Sequence, residues 1–401
     1  MSTGNMIPWL SRGLLMYLCV ATVGATLSIE HTDSLRPLSA LGRRPLAAPA
    51  WHPSSFKNKK PAGEPAPANQ ESTDEESTDE ADGQESSEAS SSVSSPAPSA
   101  PYGHGITDAE VMADPCPVIF AAFFVSKPGG FERPPGVRCN GCHESPMHIT
   151  FDSAKILHPT ACVAVLTDLE TDFTKIEGME SVQFHRFADV VNRSHIGTPN
   201  LMYERMKIYK AFVDRASKAN YNKHLILLDT DIVIVGDLLH IFAKHTTFDY
   251  ALSVRANDNL PVQGGLQLVH KDKLTEASDW LTLVLDEWLE RTKKAKRYEF
   301  GFTGDQYAYA ITIGEVKSVF KRAQAGEIDS LNVKRGDKVY NILMVPADKY
   351  NRTPSGPGSS IKKQGIAVLH YKGGRKAKMY VTYNALKQGG LKALYALKGM
   401  T

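Results

Sequence analysis

Residues 224–238 read HLILLDTDIVIVGDL, a run of apolar residues interrupted by two carboxylates, Asp229 and Asp231, one residue apart. Its hydrophobic positions are continuous rather than alternating, the pattern of strand covered on both faces. Two negative charges in such a place need a reason, because close buried like charges are costly and one of them tends to stay protonated. A hard divalent cation would supply that reason. Side chains at i and i+2 of an extended segment point the same way, so both carboxylates can reach one ion, directly or through its water. The plain alternative is a solvated turn at a strand end that happens to read D-T-D.

Working outward, further apolar runs occur at 118–125 (VIFAAFFV), 162–168, 182–187, 250–255, 266–270, 342–346 and 366–371, with helical patterns at 199–218, 272–294 and 304–312. Apolar runs alternating with amphipathic stretches predict an α/β fold, a mostly parallel sheet flanked by helices. In such sheets ligands bind at the carboxyl ends of the strands, where the run LILL delivers its Asp pair.

The 401 residues are 42% hydrophobic, enough for a substantial core. The net charge of +2 conceals an asymmetry: residues 71–88 hold nine acids and no base, whereas residues 89–401 are mildly basic. That balance suits an anionic small ligand and gives no sign of nucleic-acid binding. Arg12 precedes seventeen uncharged residues, 13–29, which read as a secretory-pathway signal. Left uncleaved it is a type II membrane anchor, the reading we favour. Cleaved after the small residues near Val23 and Ala25, it leaves a secreted chain. Residues 31–113 are rich in Pro, Ser and Glu, contain ESTDEESTDE, and predict a disordered stem, so that the folded domain spans 114–401. Asn192 and Asn351 begin N-x-S/T tripeptides compatible with a luminal glycoprotein. Cys116, Cys139, Cys142 and Cys162 would meet an oxidising lumen and form disulfides, with three pairings possible. Cys139-Asn-Gly-Cys142-His143 also fits the haem-attachment pattern, and with His148 a zinc site, but disulfides in an inserted loop are the simpler account.

Four elements in order resemble one family: the strand ending in Asp229-Thr-Asp231, the segment VQGGLQLV (262–269), Gly304-Asp305-Gln306, and HYKGGRK (370–376). Together they are similar to the glycogenin and galactosyltransferase-like retaining glycosyltransferases of the GT-A fold. The chain departs from that pattern at Gln263, where Asn is usual, and at Ala377-Lys378, where the family tends to have Pro-Trp. The resemblance implies that Asp229, Asp231 and His370 hold Mn²⁺ or Mg²⁺ against the diphosphate of a nucleotide-sugar donor, UDP being the usual carrier. It further implies that Asp305 and Gln306 touch the reacting sugar or the acceptor. The acceptor would be the hydroxyl of a glycan, glycoprotein or small molecule, in the secretory lumen or Golgi.

The residue chemistry fits these roles. A neutral imidazole at His370 can be a third ligand, Lys376 can neutralise a departing diphosphate, and Gly373 lets backbone approach phosphate oxygens. Gly264 and Gly265 permit close backbone approach beneath a sugar, or form an ordinary bulge. Thr167 and Asp168 are candidates for base or ribose, and Arg205 and Lys207 for phosphate. Each has a bland counterpart: a satisfied core histidine at 370, a helix cap at Gly304-Asp305, solvated charges elsewhere. Asp229-Thr-Asp231-Ile-Val also resembles the opening motif of haloacid-dehalogenase phosphatases, with Asp229 as nucleophile. That motif usually lies on the first strand, whereas here three candidate strands precede it, and Tyr309 stands where a further acid is expected. A non-catalytic sugar-binding relative is a third reading, for which retention of all three charged motifs has no use.

Overall fold

The computed structural model describes residues 105–126, 147–174, 176, 178–198, 200–257, 260–294, 303–314, 316–354, 361 and 365–396. The segment 13–29, most of the stem, and Cys139 and Cys142 lie outside the described residues, and among those described no helix is long and apolar enough to cross a membrane.

The strands are β1 (Val118–Phe123), β2 (Cys162–Thr167), β3 (Gln183–Arg186), β4 (His224–Leu228), β5 (Ile232–Ile234), β6 (Tyr250–Val254), β7 (Val262–Val269), β8 (Asp329–Arg335), β9 (Lys338–Pro346) and β10 (Val368–His370). The helices are α1 (Asp108–Ala113), α2 (Met147–Leu157), α3 (Leu201–Lys218), α4 (Leu239–Lys244), α5 (Leu274–Lys294), α6 (Gly304–Ile313), α7 (Val316–Ala325), α8 (Ala347–Tyr350) and α9 (Lys376–Ala396). Eight strands form one sheet in the order β3-β2-β1-β4-β7-β6-β9-β8, in which β7 and β8 run against the other six. This is the mostly parallel, helix-flanked α/β sheet that the apolar runs predict. The strand residues divide between its faces as the period of two requires. Ile119, Ala121 and Phe123 of β1 pack with Met206, Tyr209 and Phe212 of α3 and with α5. Val118, Phe120 and Ala122 pack with Met147, Phe151 and Ala154 of α2 and with Ile241 and Phe242 of α4.

Three features depart from the sequence reading. The stem does not extend to residue 113: α1 is folded onto the domain, with a Thr107–Glu110 capping box, Val111 fully buried and Asp108 paired with Arg215 and Tyr221. The run 225–235 is not one strand. It breaks at the aspartates, β4 staying in the large sheet and β5 pairing antiparallel with β10 in a small second sheet. β8 has no apolar run behind it, because among the described residues it is an edge strand paired with β9 alone, with side chains exposed at alternate positions. Cys116 and Cys162 form a disulfide between the starts of β1 and β2, one of the pairings the sequence allowed.

Candidate functional site

Asp229, Thr230 and Asp231 form the bend between the two sheets, where the sequence reading had expected extended chain. The bend is held from several sides. The Asp229 amide donates to the Gly265 carbonyl (3.1 Å), the Tyr371 amide to the Asp231 carbonyl (2.8 Å), and the Thr150 hydroxyl of α2 to the carbonyls of Thr230 (3.0 Å) and Ile232 (2.8 Å). The register of the small sheet brings distant sequence together, because β10 places His370 opposite Ile232 and so beside the bend.

His370 Nε2 lies 2.9 Å from Asp231 Oδ1 and 3.4 Å from Asp229 Oδ2, and Lys376 Nζ lies 3.3 Å from Asp231 Oδ2. The ligand atoms of Asp229, Asp231 and His370 all lie within 4.8 Å of one another, a spacing that one ion with bonds of about 2 Å can bridge. Two carboxylates and an imidazole are a mixed oxygen and nitrogen donor set that can hold a divalent cation. Burial alone would raise the Asp231 carboxyl, but the hydrogen bond from His370 and the charges of His370 and Lys376 bring its pKa down to about 2, so it is ionised at neutral pH.

Arg205 of α3 is buried and forks between the carboxylates of Asp229 and Asp305. Burial disfavours its charge, yet the two acids hold its pKa well above the usual value. Asp305, fully buried in the first turn of α6, has its pKa raised by burial against the pull of Arg205. Arg205 is thus an ion-pair partner of the site's acids, where a phosphate contact had been expected. Lys207 is also engaged, with Glu204 at 2.9 Å, and Asp168 is held by Arg193 and by the Thr171 amide (2.8 Å). Thr167 is fully buried on β2, with no hydrogen-bond partner for its hydroxyl among the described residues.

Gly264, Gly265 and Gly304 are closely approached by side chains of the protein itself. β7 and β6 slip register between Leu252 and Ser253, the bulge that was the alternative for this segment. A Cβ on Gly264 would sit 2.1 Å from Asp305 Oδ2 and 2.8 Å from an Arg205 nitrogen, and one on Gly265 would sit 2.5 Å from the His370 ring. At Gly304 it would meet the Trp288 ring at 1.9 Å. Gly373 has a φ of 59°, left-handed backbone that glycine adopts without strain, and opens the turn into α9 that carries Lys376. Gln306 follows Asp305, half-buried, and Gln263 is buried on β7.

Two residues near this cluster are not among the site residues that the sequence predicts. Lys372 is close enough to Asp229 and Asp231 to feel both charges, while burial lowers its pKa. Asn351, just after α8, is fully buried, and its Oδ1 is 2.7 Å from His370 Nδ1. Its N-x-T pattern therefore marks no accessible glycosylation site in this fold, whereas Asn192 is exposed. His148, drawn above into a possible zinc site, packs against the rings of Tyr380 and Tyr383.

No family model and no curated protein matches the chain. Among solved structures it is similar to the galactosyltransferase LgtC in complex with donor and acceptor sugar analogues, at 10% identity and TM-score 0.38, covering 64% of this chain and 88% of that one. It is also similar to the glycosyltransferase GlyE of Streptococcus pneumoniae TIGR4, at 12% identity and TM-score 0.37, covering 70% of this chain and 62% of that one. A third is a glycosyltransferase involved in the glycosylation of the major capsid of PBCV-1, at 11% identity and TM-score 0.34, covering 67% of this chain and 100% of that one.

Proposed function

We propose that the chain is a metal-dependent glycosyltransferase that moves a sugar, a hexose in our reading, from a nucleoside diphosphate, UDP by resemblance, to an acceptor hydroxyl with retention. The observation that carries this reading is the convergence of Asp229, Asp231 and His370 with Lys376 beside them, four residues from two motifs about 140 positions apart. Mn²⁺ or Mg²⁺ on these three ligands would supply charge neutralisation at the donor diphosphate. Lys376, half exposed, can move toward the same diphosphate and stabilise negative charge that builds as the sugar departs. Gln306, half-buried at the start of α6, is the candidate for contact with the reacting sugar, with Asp305 buried behind it on Arg205. With retention no strong general base is needed, since a departing phosphate oxygen can accept the acceptor's proton on the same face.

The phosphatase reading needs Asp229 as a free nucleophile, and Arg205 engages that carboxylate. In the cell we place the enzyme in the secretory lumen, held in the Golgi as a type II protein by residues 13–29. The deciding experiment screens nucleotide sugars for donor hydrolysis with and without Mn²⁺. Mn²⁺-dependent hydrolysis that is lost in Asp231→Asn is the expected result. Phosphate release from simple phosphoesters, lost in Asp229→Asn, would overturn it.

A further inference from the structure

Behind His370 the hydrogen bonds run in one direction only. Ser253 Oγ donates to the Gln263 carbonyl (2.8 Å), an acceptor that cannot reverse its role. With its proton committed there, Ser253 Oγ accepts from Asn351 Nδ2 (2.7 Å). That fixes the Asn351 amide with its oxygen toward His370, so the 2.7 Å contact to Nδ1 requires a proton on Nδ1. Nε2 then presents its lone pair, or a proton that a cation can replace, toward Asp229 and Asp231. The chain crosses three elements, β7, β6 and the loop after α8, and Asn351 and Ser253 are both fully buried.

From this polarity we infer that Asn351 is a positioning residue for the metal site: anchored by Ser253 on the Gln263 carbonyl, it selects the His370 tautomer and ring orientation that make Nε2 a ligand. The inference rests on the metal-site reading of Asp229, Asp231 and His370 given above. Gly265 belongs to the same device. A Cβ there would stand 2.5 Å from His370 Nδ1 and 3.0 Å from Asn351 Oδ1, so only glycine leaves room for the bond between them. Outer partners of a ligating histidine generally change metal affinity by about 10–100-fold when removed.

The test measures Mn²⁺ binding alone, by electron paramagnetic resonance titration of the full chain, with circular dichroism melting as the folding control. Asn351→Leu keeps the branched shape and removes the acceptor, so affinity should fall about 10–100-fold. Asn351→Asp keeps an acceptor for Nδ1–H and should restore most of that affinity. Ser253→Ala frees the amide to turn its NH₂ toward the ring and should weaken binding in the same direction, by less. If Asn351→Asp binds as poorly as Asn351→Leu, the residue acts only through packing and the inference is overturned. His370→Ala separates the two levels. Loss of binding there with none in Asn351→Leu or Ser253→Ala overturns this inference alone, and unchanged binding in His370→Ala removes the metal reading with it.

Discussion

Replacing Arg205 by leucine should destabilise the fold far more than an ordinary surface ion-pair deletion, and the structure sets the size of the effect. The guanidinium, its side chain 6% exposed, is shared by Asp229, 22% exposed, and Asp305, at 0%. The Asp229 share is discounted by solvent. Asp305 has no such relief: without Arg205 it is a buried carboxylate whose neutralising cation is gone. Breaking a buried pair from one side costs about 3–5 kcal/mol. At about 2–3 °C per kcal/mol for a domain of this size, Tm should fall by about 10 °C, read by circular dichroism or dye-binding melts at pH 7.5.

The sign of the pH dependence is a second readout. Burial already raises the Asp305 pKa above its usual 3.8, and loss of Arg205 raises it further. A carboxyl raised in the folded state binds protons that the unfolded chain releases, so between 3.8 and the raised value stability falls as pH rises. Arg205→Leu should therefore recover stability relative to wild type as the pH is lowered from 7.5 toward the raised value. Adding Asp305→Leu removes the orphaned charge and should restore most of the loss, since apolar replacement of a whole buried pair is often neutral. A Tm loss under about 3 °C in the single variant, or a double variant no better than the single, would refute the argument.

Gly265→Ala needs the His370 ring to retreat by about 1 Å from a new Cβ, a displacement that costs about 100-fold in turnover where it shifts a reacting group; steady-state kinetics with saturating Mn²⁺ check it, and a change under fivefold counts against the packing. Reducing the Cys116–Cys162 disulfide, which spans 46 residues, should lower unfolding free energy by about 4 kcal/mol in the chain-entropy model, measured by urea titration with and without reductant. Lys376→Ala should lower kcat by about 10-fold or more while leaving Mn²⁺ affinity within about threefold, since among the described residues its Nζ pairs with Asp231 Oδ2, the oxygen turned away from His370; equal losses in both would make it part of the metal site.

Most of the strands were legible because their apolar residues run without interruption, a pattern that burial on both faces imposes and that the structure repeats in β1, β2, β4 and β7. β8 was not legible, since an edge strand carries polar side chains on its open face, and neither was the break in the run around Asp229, since both halves are equally buried. The grouping of Asp229, Asp231, His370 and Lys376 could be argued from motif order. Asn351 could not, because an asparagine in an N-x-T pattern reads as a surface residue until the β10 register turns His370 toward it. Arg205 was read as a ligand for phosphate, because a sequence shows a cation on a helix and does not show that two acids from other elements have already closed on it.

The charges in the apolar run also have an answer in how the oxygens are shared. Asp229 gives Oδ1 to Arg205 and turns Oδ2 toward His370, while Asp231 gives Oδ2 to Lys376 and turns Oδ1 toward His370. Each carboxylate is therefore tied on one side to a cation and keeps its other oxygen on the imidazole nitrogen between them. The two cations differ in permanence. Arg205 is buried and always charged, so it offsets like-charge repulsion at the bend whether or not an ion is bound. Lys376, 48% exposed at the start of α9, is tied among the described residues through Asp231 Oδ2 and can turn toward an incoming anion. The fold thus keeps a fixed, buried cation on Asp229 and a half-exposed one on Asp231, an arrangement that the proposed holding and release of an anionic diphosphate would use.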